Sequence, residues 1–384
     1  MGPLQGLNVV EIASIGPGPM CGMLLADLGA DVVRIDRLEA SGLGVPMAPK
    51  FDVNARSRRS VALDLKQASG VATALRLVDR ADVLIEGFRP GVAERLGLGP
   101  DTCHARNPGL VYGRMTGFGQ TGPLAPTAGH DLNYIALTGV LHAIGPADGP
   151  AGGPVPPLNL VGDYGGGALY LAFGVLAALF ERQRSGRGQV VDAAMVDGAA
   201  SLASIFHGLR AGGLWNDQQR ASNLLDGGAP FYATYLCADG RHLAVAALEP
   251  KFFAELAQRL GLPQRFVERQ YDRRLWPELR VAIATVLLGK PRDEWAALFA
   301  TGDACVAPVL SFAEAAQHPH AVARAAYVDV AGVTQPAPAP RFSRSVPGQP
   351  RPAPELGADT GAVLAEAGFT HDEVSALLAS GAAK

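Results

Sequence analysis

Leu7-Asn8-Val9-Val10-Glu11-Ile12, the turn Gly16-Pro17-Gly18-Pro19 and Ala30-Asp31-Val32-Val33-Arg34-Ile35 decide how this chain folds. The two apolar, valine-rich runs read as buried strands, and residues 20–28 between them read as a helix. Strand, helix and strand in that order make a β-α-β unit, whose right-handed crossover lays the strands parallel. The turn lacks the G-x-G-x-x-G spacing of a dinucleotide-binding loop. Its prolines stiffen the backbone where a pyrophosphate would have to approach, which argues against a nicotinamide-dependent oxidoreductase.

The pattern repeats outward from this unit. Residues 61–65, 82–86, 110–115 and 188–195 read as strands, and 67–79 and 196–210 as helices. A short helix is expected at 90–96, with Pro90 near its start. Around Arg220 the texture changes. Residues 231–236 and 242–246 flank Ala238-Asp239-Gly240, a hairpin signal. A helix at 250–260 is stopped by Gly261, and more helices follow near 276–288 and 293–300. These readings give a large α/β domain over 1–215, completed by 330–384, and a small α+β domain over 225–325. Residues 216–224 and 326–354 are the expected linkers, with the proline-rich 336–354 an extended strap. Thr370 and Glu373 form a capping box that opens a last helix.

With 384 residues, 48% hydrophobic and 18% charged, the chain can bury a large core. A net charge of −3 gives no reason to expect a nucleic-acid or polybasic membrane partner. Cys21, Cys103, Cys237 and Cys305 are scattered and read as reduced thiols rather than a disulfide frame or zinc site. Glu11 interrupts the first apolar run, so no signal peptide is expected and a cytoplasmic location is. The apolar run 168–180 is too short to span a bilayer and reads as a core helix.

The chemistry gathers in residues 129–167. They open with Gly129-His130-Asp131-Leu132-Asn133-Tyr134 and close with Val161-Gly162-Asp163-Tyr164-Gly165-Gly166-Gly167, around a connection rich in Gly and Pro. Two readings stand side by side. His130 is a structural histidine and Asp163 a helix cap, or the two face one carbon from opposite sides, one taking a proton and the other returning one. The glycine triplet costs helix stability and admits close backbone approach.

These words, with Ile15-Gly16-Pro17-Gly18-Pro19, Gly29-Ala30-Asp31-Val32-Val33-Arg34-Ile35-Asp36-Arg37 and Asp82-Val83-Leu84-Ile85-Glu86-Gly87-Phe88-Arg89-Pro90-Gly91, resemble the CoA-transferase family III. Within it the chain looks most like the α-methylacyl-CoA racemases. The resemblance implies a Rossmann-like large domain, a smaller α+β domain and an interlocked homodimer with its site shared between subunits. It implies 1,1-proton transfer at C2 of a 2-methyl-branched acyl-CoA, with His130 and Asp163 as the acid/base pair and Glu249 orienting His130 from the partner subunit. No metal or cofactor is implied, CoA being part of the substrate. Arg37, Leu63, Asp64, Leu65, Lys66, Gly87, Phe88, Arg89 and Arg95 match the CoA region. Gly129, Asp131, Leu132, Asn133 and Tyr134 match the thioester end. Arg56, Arg58 and Arg59 add positive charge that surface solvation explains equally well. N–H groups at the start of the helix from 163 are the expected oxyanion donors. The nearest alternative is a family III CoA-transferase in which Asp163 is a nucleophile forming an acyl anhydride. A non-catalytic acyl-CoA-binding protein would need neither His130 nor Asp163. The acyl chain itself is not written in the sequence.

Overall fold

A computed structural model describes residues 1–39, 42, 44–149 and 152–384. The chain divides into two compact units. The first comprises Met1–Thr138, Pro157–Leu202 and His320–Lys384, and the second Gly139–Pro156 and Ala203–Pro319. Residues 139–156 and 203–215, which the sequence reading put in the large domain, thus fall in the second unit. Residues 326–336, read as linker, fall in the first, where Tyr327–Val330 and Val333–Pro336 pair as an antiparallel hairpin.

The first unit is built on six strands: β1 (Asn8–Ile12), β2 (Asp31–Asp36), β3 (Arg59–Ala62), β4 (Val83–Glu86), β5 (Val111–Thr116) and β6 (Val190–Ala194). They lie in the order β3-β2-β1-β4-β5-β6, and every pairing is parallel. Successive side chains of a strand point to opposite faces, and here both faces are covered. Val10, Val33, Leu84 and Tyr112 pack on one side against helix Ala68–Val78 and the C-terminal helices. Val9, Val32, Val83 and Val111 pack on the other against Pro17–Asp27 and Tyr170–Ser185. Double burial is why these strands read as continuous apolar runs rather than alternating ones. The strand order reverses between β1 and β4, so their carboxyl ends open the crevice where doubly wound sheets hold ligands.

Arg56 and Arg58, for which charge near the ligand and surface solvation are equally good readings in sequence, are interior groups. Arg58 Nε donates to Glu11 at 2.8 Å with both side chains fully buried, and its guanidinium also meets the Pro19 carbonyl. Arg56 forks onto Asp27 (3.0 and 2.5 Å) and donates to Gln335 Oε1 and the Pro336 carbonyl, both at 2.8 Å. Arg59 pairs with Asp31 and Glu366. Arg56 and Arg59 tie the N-terminal strands to the returning C-terminal segment, and Arg58 ties the segment before β3 to β1 and the turn after it.

The second unit carries an antiparallel sheet of Tyr232–Leu236, His242–Ala246 and Val306–Pro308. Gly240, at φ 77°, makes its first turn. Helices Pro250–Leu260, Trp276–Leu287 and Arg292–Leu298 pack on it, with Phe231 ringed by Phe253, Tyr271 and Trp276. Gly261, left-handed at φ 65°, ends the first of them. Arg220 is buried here, donating to the His142 (2.6 Å) and Pro146 (3.1 Å) carbonyls and pairing with Asp148.

Candidate active site

The core helix read over 168–180, with its start expected at 163, begins at Leu160. Leu160–Leu169 winds as a π-helix and runs on without a break into Tyr170–Ser185. The resulting Leu160–Ser185 is long and apolar enough to cross a membrane by length and composition. Leu171, Val175, Ala178 and Leu179 nevertheless bury against the sheet. Glycine makes the wide winding possible. A Cβ on Gly166 would lie 2.5 Å from the Ala199 nitrogen, and one on Gly198 would lie 1.9 Å from the Gly166 carbonyl oxygen. Here close packing outweighs glycine's poor helix propensity.

Asp163 therefore sits inside the first turn of this helix and does not cap it. Its N–H donates to Asp131 Oδ1 at 2.7 Å, and its Oδ2 accepts from Asn159 Nδ2 at 3.2 Å. The carboxylate faces the β1 turn, because a Cβ on Gly16 would come within 3.3 Å of Oδ2. Burial raises the Asp163 pKa; the Asn159 bond opposes this, the Asp131 charge adds to it, and the His130 charge lowers it. His130 is thus near enough to Asp163 to act on its charge. The helix N–H groups do not serve as the expected oxyanion donors at 163 and 164. The first is taken by Asp131, and the second donates to the Asn159 carbonyl.

His130 is exposed at the N-terminus of helix Asp131–Leu137. Its own N–H donates to Asn133 Oδ1 (3.0 Å), and its carbonyl accepts from the Asn133 N–H (2.8 Å). Asn133 thus fixes the backbone that presents the imidazole. Asp131 and Tyr134, matched to the thioester end, are only 5% and 6% exposed and bond inward. The Tyr134 hydroxyl donates to the Gly129 carbonyl, and its ring meets Phe118 edge-on at 5.0 Å. Gly129 and Gly117 make room for that ring, which a Cβ at either position would overlap. Leu132 stays exposed.

A cleft of about 580 Å³ opens at the carboxyl ends of the strands, lined by Arg37, Leu63, Asp64, Leu65, Lys66 and Phe88 among others. Asp64 spends its carboxylate on the Lys66 N–H (3.0 Å) and Gln67 Nε2 (3.1 Å), so it shapes the turn that presents Lys66. The Lys66 N–H bond, followed by Gln67, holds its pKa low. Gly87 lies against Ser14, whose side chain is 3.0 Å from where a Cβ would stand. Arg89 acts electrostatically on the Tyr134 hydroxyl, which burial above all pushes up to about 12. The guanidinium of Arg95 folds toward Gly91. Arg37, Lys66, Arg89 and Arg95 are exposed, and among the described residues none has a carboxylate partner. Unpaired cations on one edge suit a phosphate-bearing ligand.

Glu249 belongs to the second unit, exposed just before helix Pro250–Leu260, and its side chain makes no capping bond. Asn159 escaped the sequence reading, and Gly16 was read as part of the turn but not as a site residue. Asn159 stands four residues before Asp163, and Gly16, at φ 72°, is where the turn approaches the carboxylate. Among the described residues, no three of His, Cys, Asp and Glu gather as a metal site.

The model of CoA-transferase family III matches residues 4–360. The chain is 48% identical to a Mus musculus protein named alpha-methylacyl-CoA racemase, over 97% of this chain and 95% of that one. It is 43% identical to the Homo sapiens protein of the same name, over the same shares. A CAIB/BAIF family protein from Brucella suis superposes with a TM-score of 0.81 at 28% identity, covering 95% of this chain and 99% of the other. A doubly wound parallel sheet, an exposed histidine beside a half-buried aspartate and a near end-to-end match have one reading: this chain belongs to the CoA-transferase family III.

Proposed function

We propose that this protein is an α-methylacyl-CoA racemase, interconverting (2R)- and (2S)-2-methylacyl-CoA by 1,1-proton transfer through an enolate. Full-length identity to two proteins of that name supports the activity. The observation that supports the mechanism is geometric: His130 directly precedes Asp131, whose Oδ1 accepts the Asp163 N–H at 2.7 Å, so the two residues stand on segments bonded to one another. In one direction His130 removes the C2 proton and Asp163 delivers one to the opposite face; the reverse reaction exchanges the roles. A carboxyl raised by burial suits a group that must both give and take a proton near neutrality. The unpaired Arg37, Lys66, Arg89 and Arg95 hold the CoA phosphates, and no cofactor beyond the substrate's own CoA takes part.

The protein works as a homodimer, with the partner subunit's Glu249 orienting His130. Leu169, Phe173 and Phe180 support this. They lie along one face of the long helix, and the two phenylalanines are 72% and 65% exposed. Apolar side chains of that size gain by being covered.

The experiment is (2R)-2-methylacyl-CoA in D₂O without acceptor acid, for wild type and His130→Ala. Appearance of the 2S epimer with deuterium at C2, lost by a factor of roughly 10² or more in the variant, is expected. Absence of exchange, with CoA transfer once free acids are added, would overturn the racemase and make Asp163 a nucleophile.

A further inference from the structure

Beneath the ligand cleft lies a buried charged chain that the proposed mechanism does not use. Glu86 ends β4 and is fully buried, and in the parallel register it stands opposite Arg114 of β5. Its Oε1 accepts from Arg114 Nε at 2.9 Å. Its Oε2 accepts from the Phe88 N–H at 2.6 Å. The far side of the Arg114 guanidinium forks onto Glu94, at 2.8 and 3.3 Å. Glu94 lies on the short helix Val92–Arg95, and its methylenes pack against Gly99, where a Cβ would come within 2.8 Å.

Both ends of this chain grip one loop. Phe88, Val92 and Leu96 are the side of the cleft contributed after β4. The Phe88 backbone is held by Glu86 and the helix carrying Val92 by Glu94, with Arg114 joining the two. The Glu86–Arg114 pair is buried and Glu94 meets it from the half-exposed side; a buried ion pair is an arrangement that apolar packing of equal volume usually matches or betters for stability alone. The fold therefore has little to gain from it, whereas a loop that must meet a ligand in one geometry does.

We propose that Glu86 is a positioning residue for the CoA half of the substrate, setting the 87–96 loop through the Phe88 N–H and the Arg114–Glu94 link. The assignment rests on the reading of the cleft as the CoA site. Glu86 does not touch the reacting carbon, so it acts on binding and leaves proton transfer alone.

The test uses the full-length protein, free CoA as the calorimetric probe and (2R)-2-methylacyl-CoA as substrate. Glu86→Gln keeps the size of the side chain but offers one oxygen where two acceptors are needed. The dissociation constant for CoA and the KM should each rise roughly tenfold, the worth of one lost charge-assisted bond. The kcat at saturation and the pH profile should stay in place, and the amides of 87–96 should exchange faster with deuterium. Glu94→Gln loosens the link from its half-exposed end without disturbing the core, and should raise the same two constants by a smaller factor at unchanged melting temperature. Unchanged CoA affinity in both variants, with only a lowered melting temperature in Glu86→Gln, would overturn the proposal and leave a purely structural ion pair. Wild-type protein that binds no CoA would instead overturn the functional reading on which it rests.

Discussion

Replacing Asp131 separates geometry from charge at Asp163, the proposed catalytic carboxyl. Its Oδ1 accepts the Asp163 N–H at 2.7 Å, and its Oδ2 is buried with no partner among the described residues. Asp131→Ala leaves a backbone N–H unsatisfied, which costs about 1–3 kcal/mol, and frees the turn that carries Asp163. A displacement of about 1 Å at a reacting group is worth roughly a hundredfold in rate, so kcat for epimerisation should fall by about that factor. Asp131→Asn keeps an acceptor for the N–H but removes the charge that helps to raise the Asp163 pKa. Its kcat should hold within a few-fold while the acidic limb of kcat/KM moves to lower pH. The assay is deuterium incorporation at C2 across pH, read with both epimers because the pair titrates as a unit. An acidic limb that stays in place or moves up in Asp131→Asn would refute the reasoning, as would full activity in Asp131→Ala.

Three further outcomes follow from named contacts. Asp163→Asn should abolish exchange and yet raise the melting temperature at pH 7. The folded state raises this pKa, so it binds the proton more tightly than the unfolded chain, and stability is lost as pH rises from the unfolded value of 3.8 toward the folded one. The gain in the variant should vanish below that window, and a stabilisation that persists there would contradict the sign. Arg37→Ala and Lys66→Ala should each raise KM for the acyl-CoA about tenfold with kcat unchanged, as loss of uniform binding does; an equal loss in kcat would place them at the reacting centre. Arg56→Ala strands the buried Asp27 carboxylate and should cost about 3–5 kcal/mol in denaturant unfolding, with no KM effect in whatever fraction remains folded.

Those arginines show which parts of the molecule the sequence could reveal. Strands with both faces buried announce themselves as apolar runs, so β1, β2, β4 and β5 lie within a residue or two of the runs that predicted them; the edge strand β6, half-exposed, was read as closely. Helix Pro250–Leu260 with Gly261 behind it, and the Thr370–Glu373 box (2.7 and 3.2 Å), are local chemistry and fall where they were read. Other features depend on partners far along the chain. Arg56 meets Asp27 twenty-nine residues back and Gln335 hundreds of residues on, and nothing in its neighbourhood distinguishes it from a solvated arginine. The single predicted helix over 196–210 breaks into Met195–Leu202 and Ser204–Ala211, which belong to different units. Asp131 was matched to the thioester end by the family resemblance, and nothing local announces that its carboxylate holds an N–H thirty-two residues away. The helix was expected from 163, but its π-helical winding from Leu160 was hidden, because the close approach that the three glycines admit shows its purpose only once a second helix is seen packed into the space they leave.

The same long-range pairing gives the site its electrostatics. The first unit spends Arg56, Arg58, Arg59 and Arg114 on carboxylates inside or beside the sheet. Arg37, Lys66, Arg89 and Arg95 remain unpaired, each in a segment that follows a strand of the carboxyl edge. In sequence the two sets look alike, arginine for arginine. The topology sorts them: a basic residue within or just before a strand meets the acids of its neighbours, whereas Arg37 and Lys66, just past the carboxyl ends of β2 and β3, line the cleft. A chain with net charge −3 can in this way concentrate positive potential where a polyphosphate must dock. His130 and Asp163, the proposed acid/base pair, lie in the same unit, in the elements that follow β5. Exchanging an unpaired arginine for a paired one should therefore alter the salt dependence of KM only at the unpaired positions.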